Sequence, residues 1–193
     1  MYRETQKRTA FLAALCLFLS AVEYTVPKPL PFLRLGLANV PVLLALDILP
    51  AGRVPLLILL KAAGQGIVSG TLFSYVFLFS AAGSFASGFA MLGVHRLLAR
   101  GRFAAKPAVG RVGISLAGAL ANSCAQLALA RFFLFGAGTR YIAPLLFLSA
   151  SVTGVSLGLI TERFAQTSRW FRSLLRENPL CAQGAKPSKG APA

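Results

Sequence analysis

Six long apolar stretches, parted by short segments rich in proline, glycine or basic residues, fill the chain up to residue 164. None shows the strict apolar and polar alternation of a half-buried strand, and their length suits lipid. A bilayer core of about 30 Å takes about 20 helical residues. The first stretch, 9–26, runs into Pro27-Lys28-Pro29-Leu30-Pro31. Alternating prolines remove backbone donors and disfavour helix in the residues before them, so an extended loop is predicted there. The second stretch, 36–50, stops at Pro50-Ala51-Gly52-Arg53. The 33 residues from Ala62 to Val94 carry no charge, too many for the rest of one helix. A break at Ser69-Gly70-Thr71 divides them into helices over 54–69 and 72–98. A basic loop then leads to a fifth helix, 111–135, and Gly136-Ala137-Gly138-Thr139-Arg140 turns the chain into a sixth, 141–164.

The prediction is an all-α integral membrane protein with six transmembrane helices, and the charges fix its orientation. Basic residues cluster as Arg3, Lys7 and Arg8, then Arg53, then Arg96 to Arg111, then Arg163 onwards, whereas the alternate turns hold only Lys28, Arg34 and Arg140. Cytoplasmic loops retain Lys and Arg, so both termini are expected in the cytoplasm of a multi-pass protein of a bacterial-type inner (cytoplasmic) membrane. Residues 1–8 form the cytoplasmic start, 9–164 the membrane domain, and 165–193 a basic, largely disordered tail. The net charge of +15 would suggest nucleic acid in a soluble protein. Here it lies at the ends of apolar spans, so no nucleic-acid partner is inferred. The basic start and apolar run also mimic a secretory signal, but five more apolar stretches follow and an uncleaved first helix is expected. Cys16, Cys124 and Cys181 have no paired or metal-ligand spacing and read as structural.

Polar residues within the apolar stretches are the candidates for function. Lys61 is the costliest, since a charge at mid-helix is unfavourable by about 3 kcal/mol and needs a partner or a wet cavity. Asp47, on the preceding antiparallel helix, is level with it. Lys61 either pairs with Asp47 or faces a ligand. Gln65 stands one turn further along the same face. Ser115, Ala119, Asn122 and Gln126 make a polar stripe on the fifth helix. Ser80, Ser84 and Ser87 do so on the fourth, and Ser149, Thr153 and Ser156 on the sixth. The stripes either enclose a small pocket or hydrogen-bond one another as glue between helices. Glu23, Lys28, Arg34, Asn39 and Arg131 lie towards the outer face, and with Lys61 they give an excess of positive charge suited to an anionic or zwitterionic ligand.

With these residues placed, the chain resembles the family called Gx transporters, also known as heptaprenyl diphosphate synthase component I. The resemblance is carried by Glu23 before the proline-rich loop, by Leu33-Arg34-Leu35-Gly36-Leu37-Ala38-Asn39, and by Gly118-Ala119-Leu120-Ala121-Asn122 with Gln126. Val152-Thr153-Gly154-Val155-Ser156-Leu157-Gly158 completes it. One departure is Ala121, where many members hold a basic or polar residue before the asparagine. That family is similar to the S components of energy-coupling factor transporters, six-helix proteins that bind substrate beneath the outer loop after helix 1. The resemblance implies a transmembrane coupling protein and two ABC-type ATPases as partners, with docking through small residues on helix 1, here Ala10 and Ala14. Candidate ligand contacts are Glu23, Arg34, Asn39, Lys61, Gln65, Asn122 and Gln126.

The chemistry favours binding over catalysis. No GxxxxGK[ST] phosphate loop occurs, so ATP as a cofactor belongs to partner subunits in this reading. A prenyl synthase needs clustered aspartates to hold Mg²⁺ and diphosphate through oxygen ligands. Glu4, Glu23, Asp47, Glu162 and Glu177 are scattered singly, and no metal site or catalytic residue is predicted. The alternative role is a noncatalytic membrane subunit beside a prenyl synthase catalytic subunit. A channel or structural bundle would instead have stripes that close on each other with no cavity.

Overall fold

The computed structural model describes residues 2–25, 36–100, 107–169 and 171. All regular structure in it is helical. Helix α1, Tyr2–Thr25, starts seven residues before the predicted position. Residues 3–8 contain no glycine or proline, and they extend the helix beyond the apolar run. A 3₁₀ turn, Leu37–Asn39, follows Gly36 and feeds α2, Val40–Ile48, whose Pro41 sits in the first turn where a missing N–H costs nothing. Gly36 takes the left-handed conformation at φ 78°, which glycine adopts without penalty.

Helix α3, Val54–Val68, ends where the sequence indicated. Gly70 takes φ 64°, the Thr71 N–H reaches back to the Gly66 carbonyl at 3.1 Å, and the Ser69 N–H bonds Gln65 O. This left-handed closure satisfies carbonyls that the helix end would leave bare. Helix α4, Tyr75–Arg100, begins three residues later than predicted, because Ser74 accepts the Val76 N–H on its hydroxyl and so caps the start. Helix α5 is Pro107–Ala130, and one wide π turn, Arg131–Phe135, continues it. A 3₁₀ turn, Gly136–Gly138, leads into α6, Thr139–Thr167.

The helices pack in a series of neighbours: α1 on α3, α3 on α4, α4 on α5, α5 on α6. The nine-residue α2 stands at the centre and touches all five others. That position explains why Pro41 to Leu46 are all buried, with no polar face left. Its side chains join Leu12, Cys16, Leu57, Ile58, Met91 and Ile114 in the main core. Outside, Phe18, Leu59, Ile67, Phe73, Phe89 and Leu148 are exposed, an apolar skin matched to lipid. Among the described residues, three helical stretches are long and apolar enough to cross a membrane: Tyr75–Leu98, Gly110–Phe133 and Thr139–Thr167. Leu37–Ile48 and Val54–Val68 are apolar but shorter. The chain is a multi-pass membrane protein.

Glycines set how closely the helices approach. A Cβ on Gly158 would stand 2.8 Å from the Val112 Cα, and one on Gly154 would stand 3.0 Å from the Leu116 Cα. Backbone therefore meets backbone where α5 crosses α6. The tail boundary expected at 165 moves outward: α6 continues to Thr167, and Phe171 is fully buried against Leu44, Ile48 and Ala165. The rest of the tail, 172–193, lies outside the described residues.

Candidate functional site

Two of the polar stripes meet across a cavity of about 90 Å³. Helix α5 presents Ser115, Ala119, Asn122, Ser123 and Gln126 to it, and α6 presents Leu146, Ser149, Ala150, Thr153 and Leu157. Gly36 and Asn39, from the turn before α2, close one side. Both stripes repeat at intervals of three to four, so each is one helix face. Because α5 and α6 are drawn together at Gly154 and Gly158, the small residues leave room on the side nearer the 3₁₀ turn. The space is smaller than a cavity of about 150 Å³ that takes benzene, and it is polar enough to hold ordered water or a very small solute.

The hydrogen bonds around the cavity leave donors and acceptors in hand. Gln126 Nε2 donates to Asn122 Oδ1 at 3.4 Å, a long bond that spends one group of each carboxamide. Asn122 Nδ2 and Gln126 Oε1 are given no further bond among the described residues, and each side chain lines the space. The hydroxyls of Ser149 and Thr153 donate to carbonyls of their own helix, which leaves their oxygens able to accept. A Cβ on Gly83 of α4 would fall 2.1 Å from Asn122 Oδ1, so the carboxamide is fitted against a bare backbone.

Lys61 stands behind this wall. It is 4% exposed, and its Nζ donates to Asn39 Oδ1. That bond points the asparagine oxygen at the lysine and frees Nδ2, which lies beside Gly36 at the cavity. The sequence offered Asp47 as the lysine's partner; Asp47 is instead held by Arg111 of α5, at 3.0 and 3.2 Å. Asp47 stands near the opposite end of α2 from Asn39, whereas Asn39 precedes α2 and is reached from the middle of α3.

The other expected site residues divide. Gln65 accepts the Ser84 hydroxyl at 3.0 Å and joins α3 to α4 outside the cavity, as interhelical glue. Ser87 bonds Ser84 O within α4, so that stripe is not part of the cavity wall. Glu23 is 2% exposed, and its two carboxylate oxygens accept the Gly36 and Leu37 N–H groups at 3.2 and 3.0 Å. It ties the last turns of α1 to the cavity edge. Arg34 lies outside the described residues. Ala10 and Ala14 are exposed on a face of α1 shared with Phe11 and Phe18.

One cluster escaped the sequence reading. Arg111 bonds Glu162 of α6 at 3.1 Å as well as Asp47 of α2, and its guanidinium lies 5.9 Å from the Phe171 ring. Asp47, read as a possible partner of Lys61, and Glu162, read as isolated, thus converge on one cation. Three separated elements supply the charges, and no local motif signals such a meeting. Among the described residues, no three His, Cys, Asp or Glu side chains are grouped to hold a metal ion.

A family model described as heptaprenyl diphosphate synthase component I matches residues 12–164. The chain belongs to that family. The matched region takes in the cavity and the Arg111 cluster and stops short of Phe171. Neither curated proteins nor solved structures gave a match. The family's description names a component of a synthase, and the Gly36, Asn39, Asn122 and Gln126 positions quoted for the resemblance all lie at the cavity.

Proposed function

We propose that this member of the heptaprenyl diphosphate synthase component I family is a ligand-capturing membrane subunit. It acts as the S-component-like part of an energy-coupling factor uptake transporter in a bacterial-type cytoplasmic membrane. The observation that carries the reading is the polar cavity between α5 and α6. A bundle built only for structure has reason to close its stripes on each other, because each uncompensated polar group in an apolar interior is costly. The ligand is small and carries both hydrogen-bond donors and acceptors, to match a wall that offers both. Lys61, spent on Asn39, leaves an amide donor at the wall and a positive charge behind it, which favours an anionic or zwitterionic group. The exposed Ala10 and Ala14 allow a coupling protein to approach α1 closely, and two ABC-type ATPases would supply the energy.

The family's description favours a second role, a noncatalytic membrane subunit associated with a polyprenyl diphosphate synthase. Asp47 and Glu162 are engaged by Arg111, which makes them poor Mg²⁺ ligands, so the chemistry would belong to the partner. Gentle purification of the tagged chain from its native membrane, followed by mass spectrometry, separates the two. Recovery of two ATPases with a coupling membrane protein, lost in Ala14→Trp, supports the transporter reading. Recovery of a soluble prenyl synthase instead overturns it in favour of the second.

A further inference from the structure

A second hollow lies on the lipid side of the same two helices. It is a groove of about 730 Å³ bordered by Cys124, Leu127, Ala128 and Phe147 below, and by Arg131, Phe132 and Arg140 above. We infer that this groove holds an anionic phospholipid drawn from the surrounding bilayer, its phosphate between Arg131 and Arg140 and an acyl chain along the α5–α6 seam.

The register of the two helices gives the groove a head and a stem. Cys124 precedes Arg131 by seven residues on α5, and Phe147 follows Arg140 by seven on the antiparallel α6. Each interval is about 10 Å of helix, so on each helix an apolar floor residue lies about 10 Å from the arginine that borders the same groove. The connection between them is fixed. The Thr139 hydroxyl donates to Gly136 O at 2.8 Å, and both residues border the groove.

The charge at the head is one-sided. Among the described residues, no acidic one borders the groove. Arg131 is exposed and has no ion-pair or hydrogen-bond partner among the described residues. Arg140 is exposed too; it donates through Nη2 to the Tyr141 hydroxyl at 2.8 Å and stacks 4.9 Å from that ring. That contact spends one of five donors and holds the guanidinium in place. Two guanidiniums suit a phosphate, which they bind in a fork that an ammonium cannot match. They also stand at the end of the bundle whose turns carry few basic residues, where an orientation rule gives no reason for a pair. Beside Arg131 at the head, Phe132 and Phe133 are exposed, at 83% and 66%, which leaves the groove open to the surrounding lipid.

Native mass spectrometry of the whole protein, released from nanodiscs of equal phosphatidylglycerol and phosphatidylcholine with matched chains, tests this. The wild type should retain phosphatidylglycerol several-fold over phosphatidylcholine, and Arg131→Gln with Arg140→Gln should bring the ratio near one. Equal retention by the wild type, or an unchanged preference in the double variant, overturns the inference. Binding of glycerol 1-phosphate as tight as that of the intact lipid also overturns it, since the site would then be for a free anion. Because basic residues at the other end also attract anionic lipid, position is read separately. A Phe147→Trp, Trp170→Phe protein, which then has a single tryptophan, should be quenched more by brominated phosphatidylglycerol than by brominated phosphatidylcholine. The difference should vanish with the arginine pair and persist with Arg96→Gln and Arg163→Gln; the reverse pattern refutes the assignment.

Discussion

Replacing Gly158 by alanine tests whether the α5–α6 crossing is as tight as its geometry states. The new methyl carbon would lie 2.8 Å from the Val112 Cα and 3.3 Å from both the Ser115 Cβ and the Val112 Cγ2. Carbon atoms rest at about 3.5–4.0 Å, so the helices must part by nearly 1 Å there, and a backbone Cα cannot rotate away. An extra methyl group in a packed core costs about 1–3 kcal/mol. Alanine also raises helix propensity by about 1 kcal/mol, which masks part of that loss. Gly113→Ala isolates the masking effect, since a Cβ at Gly113 on α5 meets nothing within 4 Å. The difference between the two variants should therefore be the overpacking cost alone, about 1–3 kcal/mol, with Gly158→Ala the less stable. Reversible unfolding by SDS in mixed micelles, followed by circular dichroism, measures it. Ser115 borders the cavity as well as touching the new methyl, so a Gly158→Ala protein that does fold should also bind ligand more weakly. Equal stability of the two alanine variants would refute the close crossing and the cavity shape that depends on it.

Three further outcomes follow from named contacts. Glu23→Ala strips the acceptor from two backbone N–H groups, each worth about 1–3 kcal/mol if left unpaired; Glu23→Gln, which keeps one strong acceptor, should lose less in the same unfolding assay. In a double-mutant cycle, Lys61→Met and Asn39→Leu should couple by about 1 kcal/mol or more, whereas adding Asp47→Asn to Lys61→Met should recover nothing; recovery would restore the Asp47 pairing. Arg111→Met should cost about 2 kcal/mol, less than a fully buried pair because the three side chains keep 11–23% exposure. The triple change with Asp47→Asn and Glu162→Gln should regain most of it, and failure to do so would mean that Arg111 acts by packing.

The sequence was legible where a feature is local. The break at Gly70 rests on one left-handed residue, and the α5 stripe with Ser149 and Thr153 of α6 declares its face by spacing. Ser156, read as part of the α6 stripe, is instead exposed off the cavity, and Leu157 takes its place. What the stripes enclose depends on which helices adjoin. The serines of α4 repeat as regularly as the polar residues of α6, yet Ser84 meets Gln65 of α3 and serves as glue, and Ser87 bonds within its own helix. Asp47 illustrates the limit from the other side. Depth counted along the helix placed it level with Lys61, but Lys61 reaches Asn39 before the start of α2, and Asp47, near the other end of that short helix, meets Arg111, 64 residues later in the chain. Glu23 was singled out with no partner in view, because its partners are backbone N–H groups that every residue but proline carries.

The pairing of Lys61 with Asn39 bears on how the protein is made. Both groups lie within the hairpin of the 3₁₀ turn, α2 and α3, so the lysine's partner emerges from the ribosome before the lysine does. Those helices are short, and neither is suited to enter lipid alone. Together they form a unit whose ammonium is already satisfied before α4 to α6 are synthesised. The Arg111 that holds Asp47 comes later, at the start of α5. Its pairing with Asp47 marks the step at which the first half of the chain is joined to the second.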